Sequence, residues 1–409
     1  MKSIEKNLIL TTLKFNKQWL LYMFLIFLSF LAWNTELFWP GSDSGYYYLY
    51  ADIILNYINN GIFDSSLDYF KYVKEKDYIY MINIENIFGF NNSFYINETF
   101  SYVFLSVFFN YIFNSTYGII FFQTIATIFT INEIKKILKY YSYDMKVNFW
   151  TTFLLMPIIL ISFVPMKEAF TIFFSTLLFR LYLNRHLKLF ILVFLLFYIY
   201  RWNLALLFSG FILCFYISNK ILYSKYRQFH NYFIIVVICI VFIIGTKYIA
   251  YFGSGYNTWE PKMLISAFVF PLVKFGHYEG WQGSYILFGL WNNIYSLSWY
   301  FFLPAFFIAI FIKNSLKSLA VALLIIFVVY GSISSGNQID RIKLEFYPLY
   351  IILGLIIFQQ IKNKKQYFYY FLVLLFFNFL QASNYSFTKA DSSLYEFIII
   401  PKYLVSNLL

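Results

Sequence analysis

Charge is what this chain has least of. Asp, Glu, Lys and Arg make up 12% of its 409 residues, about half of what a soluble surface of that size carries. The shortage excludes a cytosolic enzyme, a nucleic-acid binder and a disordered tail. Cysteine is nearly absent, and Cys214 and Cys239 both lie inside apolar runs, so there is neither a disulfide framework nor a cysteine metal site. The three histidines, His186, His230 and His277, are scattered and are too few for a His-based metal centre. No glycine-rich phosphate loop is present, and the basic connections are too short for a nucleotide-binding domain. Arginine is scarce, at five of the 31 basic residues, while Asn, Ile, Phe and Tyr abound. That bias points to an AT-rich, bacterial genome. No small-residue cleavage site follows the first apolar run, which therefore reads as a retained anchor. No internal repeat and no inverted pair of broken helices of the transporter kind is visible.

What remains is apolar. Hydrophobic residues are 61% of the chain and aromatics 25%. A helix needs about 20 apolar residues to cross the hydrocarbon core, and the runs that qualify predict spans at 19–39, 116–134, 148–164, 169–183, 188–202, 203–219, 232–250, 295–312, 318–333, 344–360 and 366–381. The fold class expected is an all-α polytopic membrane protein of about 11 transmembrane helices, forming a single integral membrane domain over 1–409 with a cytoplasmic N-terminus. The positive-inside rule supports this register. Of the 31 basic residues, 19 fall in the inner segments around Lys2–Lys17, Lys135–Lys146, Arg180–Lys188, Lys220–Arg227, Lys313–Lys317 and Lys362–Lys365, against only Glu5, Glu133 and Asp144 among the 19 acids. The bulk lies outside, in a first loop at 40–115, a second at 251–295 and a tail at 382–409. Residues 100–113 are apolar enough for a helix, but a crossing there would invert the basic loop that follows. They read as an interfacial or re-entrant helix on the outer face, with a short extra span as the alternative.

Polar groups concentrate on the outer side. Asp43 follows Pro40-Gly41 at the end of the first span; it either caps the next, amphipathic helix or stands at the lip of a cavity as a proton acceptor. Lys167 and Glu168 occupy the tight turn Pro165–Glu168. They form a solvated hairpin with Glu168 favouring a helix start, or they meet a lipid phosphate. Arg201, within Tyr200-Arg201-Trp202-Asn203, is an aromatic-flanked anchor or a bidentate phosphate ligand. In 251–295, Trp259, Glu260, His277, Glu279 and Trp281 make either an interfacial belt or a surface that stacks on and hydrogen-bonds sugar. Arg341 and Lys343, in Asn337–Pro348, either pair with nearby charges or grip a phosphate or pyrophosphate.

The order of these features resembles GT-C fold glycosyltransferases: Asp43, Tyr46, Ala51 and Gly61 after the first span, the stretch from Glu98 to Tyr140 with its Asn114-Ser115-Thr116 break, Pro157 and the Pro165–Glu168 turn, Arg201, then Arg341…Pro348 before a late span. The likeness covers about two thirds of the chain as order and spacing. It implies a GT-C-like bundle with juxtamembrane helices in the plasma (inner) membrane. The implied donor is a polyprenyl-phosphate- or polyprenyl-pyrophosphate-linked sugar and the implied partner a glycan acceptor, with membrane lipid around them and no nucleic acid. Asp43 would be the base, and Lys167, Arg201 and Arg341 would stabilise the leaving phosphate. The first loop departs from the family in having Ser44 where an acidic pair would put a second acid. No cofactor is firmly implied, and a divalent metal is compatible with the pattern. The chain also resembles Wzy-type O-antigen or capsule polymerases, which join whole lipid-linked repeats. A flippase or transporter is the reading of a different class, and it calls for charges lining a path through the bilayer centre.

Overall fold

The structure, a computed structural model, describes residue 22, 24–27, 51, 55, 98–113, 118–143, 149–163, 167–234, 236–237, 286–312, 315–333 and 344–388. Among these the regular elements are helices, with no strand. They are α1 (Glu98–Phe113), α2 (Gly118–Tyr140), α3 (Phe149–Ile161), α4 (Glu168–Leu183), α5 (Leu187–Leu222), α6 (Ile286–Phe311), α7 (Ser315–Ile333), α8 (Tyr347–Gln360) and α9 (Lys364–Thr388), with a short 3-10 turn at Arg227–Phe229. One described helix, α5, is long and apolar enough to cross a membrane, and the count rises to three if each of two bent pairs is taken as one span. In those pairs α1 and α2 are bent by 109°, and α6 and α7 by 118°.

Ring contacts give the course of α5. Phe197 stacks on Phe174 of α4 at 5.5 Å and Tyr200 meets Phe170 at 6.0 Å, an antiparallel register. Beyond, Phe211 and Phe215 meet Phe179 at 5.7 and 5.5 Å and Phe215 meets Tyr182 at 5.9 Å, a parallel one. Both registers hold only if the chain turns back between them. The turn is at Arg201, whose backbone (φ −157°, ψ 78°) is the non-helical point inside the helix. α5 is therefore two arms, Leu187–Tyr200 and Trp202–Leu222, matching the paired runs 188–202 and 203–219 expected from sequence. The first arm is roughly 21 Å long at 1.5 Å per residue.

α2 runs parallel to α4, since Phe129 lies against Phe173 at 6.2 Å and Glu133 pairs with Arg180 further along both. α6 and α8 are likewise parallel: Tyr295 meets Tyr347 at 5.0 Å, Trp299 meets Tyr350 at 3.9 Å and Phe301 meets Phe358 at 5.3 Å. α8 is the centre of the bundle. Every residue from Tyr347 to Ile357 is buried, and a helix apolar all round belongs inside. Gly354 lets it approach α6, because a Cβ there would collide with the Phe302 ring.

Proline interrupts the ladders of α3 and α6, and α8 and α9 bond to the backbone beside each break. Pro157 and Pro304 lack an N–H and bend the preceding turn. The prolines deprive the carbonyls four residues upstream of a donor, and the next carbonyls along, Leu154 and Phe301, accept from the hydroxyls of Tyr347 (2.9 Å) and Tyr367. Ser298 donates to the Tyr295 carbonyl at 2.7 Å and lies 2.5 Å from the Tyr347 hydroxyl, so two protons serve three contacts.

α1 lies steeply across α2 rather than antiparallel to it. Its Tyr102, Val103, Ser106, Val107 and Asn110 are buried, while Phe104, Phe108, Tyr111 and Ile112 are exposed on another side. Asn110 accepts from the Ile119 amide at 3.2 Å, which closes the start of α2.

Several boundaries differ from expectation, two of them reaching into segments assigned to loop or tail. α6 starts at Ile286, inside the segment assigned to the loop 251–295, and α9 continues to Thr388, inside the tail 382–409. The Asn292-Asn293 pair interrupts the apolar run of the sequence but not the helix.

Candidate functional site

The reversal at Arg201 builds the site. Its extended backbone frees carbonyls at the end of the first arm, and the Ile199 carbonyl accepts from Ser101 of α1 at 3.0 Å. On the other side of the bend Asn203 accepts from the Leu204 amide at 2.6 Å. Tyr200 donates to the Lys167 carbonyl at 3.0 Å, tying the bend to the start of α4. The guanidinium of Arg201 is thereby set beside that start. Its Nη1 lies 3.8 Å from Glu168 Oε1 and 3.5 Å from Thr171 Oγ1, whose own proton goes to the Lys167 carbonyl at 3.0 Å. The Arg201 side chain is 11% exposed and that of Glu168 2%.

Three residues singled out from sequence, Lys167, Glu168 and Arg201, are thus brought together although over 30 positions separate them. Lys167, not Glu168, is the cap residue of α4, and it makes no side-chain capping bond; Glu168 sits in the first turn and holds Arg201. Asp43, Arg341, Lys343, Trp259, Glu260, His277, Glu279 and Trp281 lie outside the described residues.

The structure adds Glu345, which is 2% exposed. Its carbonyl accepts from Ser175 at 3.0 Å, two turns along α4 from Glu168 and roughly 10 Å away along the axis. Glu345 thus enters the bundle well below the Arg201 bend, just before α8. Its sequence signal was position: a carboxylate immediately ahead of the most uniformly apolar helix in the chain.

At the opposite end of α4 a second charged group forms. Glu133 lies 2.7 Å from Lys136 and also pairs with Arg180, with its own side chain 7% exposed. Between the two ends, the hydroxyls of Thr171, Ser175 and Thr176 on α4 and of Thr124 and Thr130 on α2 bond to carbonyls of their own helices. Small hydroxyl residues used in this manner let apolar helices approach closely.

Beyond the second arm of α5, Ser218 Oγ and His230 Nε2 lie 2.7 Å apart and Lys317 donates to Asn231 at 3.0 Å. Burial, with the Lys317 cation nearby, pushes His230 down to about 4. Among the described residues no three His, Cys, Asp or Glu side chains gather to hold a metal ion. Comparison with known proteins finds no match to a family model, a curated protein or a solved structure.

Proposed function

We propose that the chain is an integral-membrane glycosyltransferase of the GT-C kind, transferring sugar from a polyprenyl-(pyro)phosphate donor on the extracytoplasmic face during bacterial surface-polysaccharide assembly. It crosses the plasma membrane eleven times from a cytoplasmic N-terminus. The Arg201 end of α4 faces outward and the Glu133–Arg180 end faces the cytoplasm. The observation that carries this reading is the Arg201 guanidinium, held by Glu168 and Thr171 at a helix reversal beside Lys167. A planar cation fixed by buried partners is suited to a phosphate oxyanion. The parallel courses of α2, α4 and the second arm of α5 agree with the alternation that the charges require.

In the reaction an acceptor hydroxyl attacks the anomeric carbon, the carbon–oxygen bond to the lipid phosphate breaks, and the phosphate leaves with the electron pair. Asp43 takes the hydroxyl proton. Lys167, Arg201 and Arg341, with Lys343, stabilise the charge that builds on the phosphate, while Trp259, Glu260, His277, Glu279 and Trp281 hold sugar. Glu168 keeps Arg201 oriented.

The test is the mass profile of lipid-linked intermediates in a deletion strain. Single-sugar transfer leaves a repeat short by one sugar or one branch. Complete repeats accumulating without a polymer ladder would replace this reading by the polymerase. An unchanged profile would overturn both.

A further inference from the structure

The connector after α5 carries four aromatic side chains at intervals of three, Tyr223, Tyr226, Phe229 and Tyr232, with exposures of 68%, 55%, 49% and 66%. Three of them are in ring contact in sequence, with Tyr226–Phe229 centroids at 6.5 Å and Phe229–Tyr232 at 6.3 Å. Part of the connector is the 3-10 turn Arg227–Phe229, and side chains three apart eclipse in that geometry. Tyr226, Phe229 and Tyr232 therefore form one ladder, with Tyr223 exposed one step before it. Cations accompany the aromatic rings: Lys225 Nζ stands 5.2 Å from the centroid of the Tyr226 ring, and Lys220 Nζ, in the last turn of α5, 5.2 Å from that of Tyr216. No acidic residue occurs between Glu168 and Glu260, so nothing in this stretch neutralises them. The connector is also tied down, through His230 to Ser218 of α5 and through Asn231 to Lys317 of α7.

Bare aromatic rings with polar tips suit the interface between acyl chains and headgroups, and unneutralised lysines at that level attract anionic lipid. We propose that this connector is a binding surface for anionic phospholipid headgroups of the cytoplasmic leaflet, with the ring ladder seated among the headgroups and Lys220 and Lys225 paired with their phosphates. The inference needs the chain to sit in a membrane but not glycosyl transfer. An acidic soluble protein would also match the charge. It would not account for four exposed rings carried on a segment that directly continues an apolar helix.

The test uses the full chain, with Cys214 and Cys239 replaced by Ser and a bimane fluorophore on Gln228→Cys, in nanodiscs of phosphatidylcholine and phosphatidylglycerol. Quenching by acyl-chain nitroxide on phosphatidylglycerol is compared with quenching by the same label on phosphatidylcholine. The expected ratio favours phosphatidylglycerol by about tenfold, falls towards one in Lys220→Gln/Lys225→Gln, and does not respond to free glycerol phosphate. Equal quenching by both lipids in the parent protein would overturn the proposal, as would a ratio unchanged in the double variant. Loss of the preference to free glycerol phosphate would mean a soluble-phosphate site instead. Absence of quenching by either lipid would place the connector away from the bilayer and leave a soluble partner as its occupant.

Discussion

Arg185 and Ser142 both hold left-handed backbone, at φ 58° and 59°. Each sits just past a helix end where two amides fold back: Arg185 to the Tyr182 carbonyl and His186 to Leu181, Ser142 to Lys139 and Tyr143 to Leu138. This closure is normally made with glycine, which has no Cβ to crowd the carbonyl. Arg185→Gly is expected to stabilise the fold by about 1 kcal/mol, read as a higher thermal midpoint in detergent. Glu133→Gln goes the other way: it leaves Arg180 without its buried carboxylate, at a cost of about 3 kcal/mol, readable in the same melt. His230 responds to pH. Its folded value, about 4, lies below the ordinary 6.5, so between those values the unfolded chain takes up a proton that the folded one refuses. Stability is full above about 6.5 and falls as pH drops through that window, by up to roughly 1.4 kcal/mol per unit. Melts at stepped pH should show this slope, and His230→Gln should flatten it.

Among the elements, α8 depends on its hydroxyls as much as on its apolar surface. Tyr347→Phe keeps the ring but strips the Leu154 carbonyl and Ser298 of their partner, and should cost about 1–3 kcal/mol. A melt unchanged by that substitution would mean that neither bond of the Tyr347 hydroxyl contributes to the seating of α8. The seating of α1 depends on Gly118, where a Cβ would meet the Phe109 backbone. Gly118→Ala should loosen α1 from α2, seen as faster proteolysis within α1 while the rest of the bundle persists. The α5 reversal is held from three sides, by Ser101, by the bond from Tyr200 to Lys167 and by the Glu168–Arg201 pair.

For the whole molecule, the helical class could be read in advance because its signal is one-dimensional. Apolar runs mark helices, while Arg201 stands out by composition alone, as one of five arginines and flanked by Tyr200 and Trp202. That Lys167 and Glu168 would meet it was not legible, because only the reversal of α5 against α4 brings them together. Glu345 was not legible as a buried group, since a charge ahead of an apolar run looks like a surface lip until Ser175 is seen to draw its backbone inward. The start of α6 was missed because hydropathy falls at Asn292-Asn293 while backbone geometry does not. The buried partners of Glu133 depend on α2 and α4 running parallel, which no local pattern states. The most direct test of the account is complementation of the deletion strain with Glu168→Gln/Arg201→Gln, which removes both buried charges together and so leaves neither one unpaired. The account expects the variant to reach wild-type levels in the membrane yet fail to restore the surface glycan; full restoration of that glycan would contradict it.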